Sequence, residues 1–72
     1  MKLRAFKLDP FEGRYTASTR NEKHTYIVEA FGSDGRCEVF HHDEERMASE
    51  RIGSGATPEN AIALARLHAI SL

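Results

Sequence analysis

The stretch His24-Thr25-Tyr26-Ile27-Val28-Glu29-Ala30-Phe31 concentrates aromatic and β-branched residues more than any other in the chain, and it predicts a strand. Gly32-Ser33-Asp34-Gly35-Arg36 follows, with an Asp-Gly pair that tolerates the positive φ of a tight hairpin turn, and it leads into Cys37-Glu38-Val39-Phe40-His41-His42. These two segments are expected to pair antiparallel. Upstream, Lys2–Leu8 mixes apolar and basic residues, Asp9-Pro10-Phe11-Glu12-Gly13 supplies turn formers, and Arg14–Thr19 completes a first hairpin before the polar turn Arg20-Asn21-Glu22-Lys23. Downstream, Asp43-Glu44-Glu45-Arg46 is too charged to be buried and reads as a turn. Met47–Ile52 is assigned as the last strand by its position rather than its propensity.

The C-terminal segment changes period. After Gly53-Ser54-Gly55, Thr57 is placed to accept a hydrogen bond from the amide of Asn60, Pro58 suits a first helical position with no intrahelical N–H partner, and Glu59 meets the positive end of the helix dipole. A helix is therefore expected from Pro58 to about Ser71. At 100° per residue its large apolar side chains, Ile62, Leu64, Leu67, Ile70 and Leu72, spread around most of the circumference. A helix that only lies on its own sheet shows one apolar stripe and a polar back, so this distribution implies a second contact.

The sum is an α+β fold, an antiparallel β-meander of four or five strands followed by one C-terminal α-helix packed on the sheet, in a single small domain over residues 1–72. A chain of this size buries only about 60% of the surface its unfolded form exposes, so a partner or a second copy would help to stabilise it. Its single cysteine, Cys37, excludes an intrachain disulfide and suits a reducing compartment. No apolar run is long enough for a membrane span, and the first residues lack the apolar centre of a signal peptide, so a cytoplasmic location is the expectation.

Charge adds an asymmetry to the formal −1 of the whole chain. Residues 1–25 carry Lys2, Arg4, Lys7, Arg14, Arg20 and Lys23 against three acids, whereas residues 26–72 carry four arginines against eight acids. The basic set is a candidate nucleic-acid surface, with solvated surface charge as the plainer reading.

The candidate chemistry is sparse. His41-His42-Asp43-Glu44-Glu45 is the densest group of possible metal ligands, but adjacent strand residues point to opposite faces, so one ion could take only one of the histidines together with loop carboxylates, as in a metal protein using His41 and Asp43. A strand end running into an acidic turn is the plainer reading. His68, near the C-terminal end of an apolar helix, reads as structural. Cys37 with His24, His41 or His42 lacks an orienting group and an oxyanion site, and is read as a buried thiol. Gly53-Ser54-Gly55 lacks the lysine of a phosphate loop and reads as a tight turn. Tyr15, Tyr26, Phe31 and Phe40 are read as core or cross-strand residues rather than a base-stacking platform. No cofactor and no enzymatic activity are expected.

Gly53-Ser54-Gly55 followed by Thr57, Ala61, Ala65 and Ala69 resembles the last strand and second helix of the double-stranded RNA-binding domain. The resemblance implies a strand meander running into an alanine-rich helix, with His24 as a rough counterpart of that family's loop histidine. Pro58 and Glu59 stand where the family places its phosphate-binding lysines, and residues 1–25 show no leading helix, so the implied duplex binding loses its cations. Thr57-Pro58-Glu59-Asn60-Ala61-Ile62 likewise resembles the helix entry of HicB-type antitoxins, without that family's Asp-Leu-Pro-Gly turn.

The function expected from these residues is a small non-catalytic protein-binding module, a regulator or inhibitor that occupies a partner's surface or pairs as a homodimer. The contact is expected to use the exposed flank of the helix, with Arg66 and Ile70, or the outer sheet face, with Asp43, Glu44 and Glu45 on the rim. The alternative is nucleic-acid binding through the six N-terminal cations.

Overall fold

A computed structural model describes residues 2–30 and 35–72. Five strands, β1 (Lys7–Asp9), β2 (Arg14–Ser18), β3 (His24–Glu29), β4 (Cys37–Asp43) and β5 (Ala48–Gly55), form one antiparallel sheet in sequential order, and a single helix, α1 (Pro58–Ile70), follows. The expected meander and helix are both present. Phe31, the last residue of the expected third strand, and residues 32–34 of the turn expected after it lie outside the described residues.

The local chemistry accounts for the connections. Asp9 Oδ1 accepts from the amides of Phe11 and Glu12 at 3.0 and 3.2 Å, closing the β1–β2 turn, and Asp43 Oδ1 does the same for Glu45 and Arg46 at 3.0 and 3.1 Å in the β4–β5 turn. Thr57 Oγ1 caps α1 by accepting from the Asn60 amide at 3.2 Å. Three boundaries depart from the sequence expectation. Gly53-Ser54-Gly55, expected as a tight turn, continues β5 and pairs with Val39, Glu38 and Cys37. The first strand is only Lys7–Asp9, with Leu3 bridging Thr19 separately. Met47 belongs to the turn rather than β5, with φ of 53° and an exposed side chain.

Register sorts the side chains onto two faces. Tyr15, Val28 and Val39 lie opposite one another across β2, β3 and β4, as do Ala17, Tyr26, His41 and Glu50 across β2 to β5. This face carries α1, and its core consists of Tyr26, Val28, Cys37 and Val39 against Ala61, Ala65 and Ala69. The other face carries the row Lys7, Thr16, Ile27, Phe40 and Arg51, one residue from each strand. A register shift between Val39 and Phe40 makes Ile52 the extra residue of a bulge in β5. Tyr15 and Tyr26 thus share the helix-covered face and Phe40 lies on the opposite one, so these three do not form one stacking platform.

The helix packs closely because both partners are small. Ala61, Ala65 and Ala69, one turn apart, are wholly buried and form its sheet-facing stripe. Beneath them, a Cβ at Gly55 would lie 2.6 Å from the Ala61 nitrogen, and one at Gly53 would lie 2.6 Å from Leu64 Cδ2. Among the described residues no helix is long and apolar enough to cross a membrane.

Candidate functional site

With alanines toward the sheet, the larger side chains of α1 point sideways or out. Ile62 and Leu64 lean on the core, but Leu67 is 67% exposed and Ile70 is 68% exposed. Together with exposed Ala63 they follow the i, i+4, i+7 spacing of a single outward stripe. The N-terminal segment runs beside this stripe. Leu3 and Phe6 pack against the core, the Arg66 guanidinium lies 5.6 Å from the centre of the Phe6 ring, and Lys2, Leu3, Arg66 and Ile70 line an open groove of about 350 Å³. The groove has an apolar floor and a cationic rim.

Arg66 and Ile70 are therefore brought together, with Lys2 joining them. Asp43, Glu44 and Glu45 lie in the β4–β5 turn, where each has internal work. Asp43 closes the turn and faces Arg46 at 3.8 Å, Glu44 accepts from Thr25 Oγ1 at 3.0 Å, and Glu45 pairs with Lys23 at 2.9 Å. The amides of Arg46 and Glu45 that close the turn hold the Asp43 carboxyl below its ordinary pKa of 3.8. Glu45 raises the pKa of Lys23 through their hydrogen bond.

Three of the six N-terminal cations are held by carboxylates. Arg4 meets Glu22 at 3.4 Å and donates to the Arg20 carbonyl, Arg14 pairs with Glu12 at 2.8 Å, and Lys23 is held by Glu45. Lys2 lines the helix-side groove, whereas Arg4 and Lys7 line a shallow groove of about 320 Å³ with Thr16, Ser18 and Thr25.

A second constellation forms where the last turns of α1 overlie the sheet. Three of the chain's four histidines meet there. His24 Nδ1 and His41 Nε2 share a hydrogen bond at 2.9 Å, Tyr26 Oη and His68 Nδ1 share one at 2.6 Å, and the His41 and His68 ring centres are 5.0 Å apart. Glu50 from β5 brings its carboxylate 3.8 Å from His41 Nδ1. Burial, reinforced by the neighbouring His68 and His24, keeps the pKa of His41 below the ordinary 6.5, with Glu50 and Asp43 opposing. Burial and the Glu50 charge push the Tyr26 hydroxyl up to about 12, so it stays protonated.

Sequence reasoning grouped His41 with His42 and the acids that follow, weighed His24 only as a partner of Cys37 and read His68 as structural, so the convergence of His24, His41 and His68 was missed. The signal lay in the geometry of the C-terminal turn. From Gly55 back to Glu50 is about 17 Å along a strand, and from Pro58 forward to His68 is about 15 Å along a helix, so a chain that reverses at Ala56-Thr57 sets Glu50 beneath His68. His42 was correctly separated from His41, since it faces Ser49 Oγ at 2.6 Å on the opposite sheet face. Cys37 is buried, 3.7 Å from the Ala30 carbonyl, as expected of a structural thiol.

Compared with known proteins, the chain matches no family model, and no curated protein or solved structure shows significant similarity to it. What remains of the two resemblances is coarse, an antiparallel sheet that runs into an alanine-rich helix in an α+β arrangement.

Proposed function

We propose that the protein is a non-catalytic binding module whose docking surface is the outer face of α1, and that its occupant is a partner protein presenting an apolar side chain flanked by carboxylates. The single observation that carries this reading is the orientation of α1, which spends its alanines on the sheet and leaves Leu67 and Ile70 in solvent. Covering the exposed two-thirds of each of these side chains would contribute roughly 1–2 kcal/mol, enough to anchor a small interface. Lys2 and Arg66 on the groove rim select the sign of the partner's charge. The same two cations argue against a second copy as the occupant, because pairing two such grooves would bring four cations into one interface with no carboxylate in the lining to meet them.

A peptide-display selection against the intact protein, counter-selected with the L67D/I70D double variant, tests the reading. The expected enrichment is for sequences with a large apolar residue beside Asp or Glu. Enrichment of basic sequences, or none that distinguishes the two baits, would contradict it. Nucleic-acid binding through the N-terminal cations is the competing outcome, recognisable by steep weakening as salt rises. Its support is reduced by the carboxylates that already hold Arg4, Arg14 and Lys23.

A further inference from the structure

We propose that His41, Glu50 and His68 form a binding site for a divalent transition-metal ion of the zinc class. One ligand atom from each of these residues lies within 4.8 Å of the other two, although they come from β4, β5 and α1. Tetrahedral zinc with N and O ligands separates its donors by about 3.3 Å, so the three are loosely preset and must close by about 1.5 Å. The side chain able to do so is Glu50, which is 68% exposed and free to rotate inward.

The two imidazoles are already oriented. His24 engages His41 Nε2, which leaves His41 Nδ1, the atom nearer Glu50, to face the ion. Tyr26 Oη engages His68 Nδ1, which leaves His68 Nε2 for coordination. With metal bound, His68 Nδ1–H donates to the wholly buried Tyr26 oxygen, an outer contact that fixes both tautomer and ring angle. Two neutral imidazoles and one carboxylate suit zinc, nickel or copper(II) better than magnesium or calcium, which prefer all-oxygen sites. The exposed side next to Glu50 leaves room for water as a fourth ligand.

Chelator-treated protein titrated with Zn²⁺ during thermal unfolding, and with Co²⁺ while its visible spectrum is recorded, tests the assignment. Zn²⁺ is expected to raise the Tm in a concentration-dependent way, and Co²⁺ to give the intense bands of tetrahedral coordination. The E50Q variant, altered at an exposed position that the fold does not need, is expected to weaken Zn²⁺ at least about tenfold. H68Q should remove the tetrahedral spectrum, and H42Q, on the opposite sheet face, should retain wild-type binding. An unchanged wild-type Tm at millimolar Zn²⁺ would overturn the site. So would a shift that survives in both E50Q and H68Q, or one that is lost in H42Q.

Discussion

Gly55 sits against the backbone of the helix that it precedes, and backbone cannot turn aside as a side chain can. A Cβ there would meet the Ala61 nitrogen at 2.6 Å and the Asn60 carbonyl carbon at 3.0 Å, so Gly55→Ala must lift the first turn of α1. The expected cost is about 1–3 kcal/mol, read as a lower urea midpoint. At Gly53 the nearest obstacle is the tip of Leu64, which can rotate, but the backbone there has a φ of 159°, so Gly53→Ala carries backbone strain instead of a backbone clash. A second residue-scale prediction concerns His41. Its folded pKa lies below 6.5, so as pH falls the unfolded chain takes up the proton first, and the stability held above 6.5 is lost as pH drops toward the folded value. Burial sets the direction, His68 from α1 and His24 from β3 reinforce it, and Glu50 from β5 and Asp43 from β4 oppose it. Urea melts of chelator-treated protein from about pH 8 down to about pH 5 should show the decline, and H41Q should flatten it. Asp43 acts in a separate window, since its depressed carboxyl stabilises the fold above 3.8 and that contribution is lost only as pH falls below this value.

At the scale of elements, α1 carries two unlike apolar faces, and they should respond oppositely to substitution. Leu67→Ser and Ile70→Ser should each leave stability within about 0.5 kcal/mol of wild type, because solvent already covers these side chains. Ala65→Leu should cost about 1–3 kcal/mol, because the buried stripe has no room for a larger group. Equal effects at all three positions would mean that the helix packs on another face. Much of this level was legible in the chain. The Thr57-Pro58 start of α1 and the β-branched run of β3 encode local chemistry that does not depend on the rest of the fold. Met47 was not legible, because its positive φ comes from closing the β4–β5 turn rather than from any preference of methionine. Nor was the Ile52 bulge, which exists only relative to β4. That the smallest residues of α1 would face the sheet follows from the close approach at Gly53 and Gly55, a fact of packing rather than of apolar count.

On the scale of the whole molecule, folding undoes part of the segregation of charge along the sequence. Lys23 from the basic half meets Glu45 from the acidic half, and Arg4 and Arg14 turn to acids within their own half, so three of the six N-terminal cations are matched by carboxylates. The histidine constellation and the groove are products of topology in the same sense. They join residues as far apart as His24 and His68, or Lys2 and Ile70, and the register of the meander and the reversal before α1 bring the histidines together. The account's central claim is that the outer face of α1 is the docking surface. The most direct measurement is an NMR titration of the intact protein with an acidic, apolar peptide obtained by the display selection, following backbone amide shifts. The account predicts changes confined to Lys2, Leu3, Ala63, Arg66, Leu67 and Ile70. Changes centred instead on Thr16, Ile27 and Phe40 of the open sheet face would contradict it.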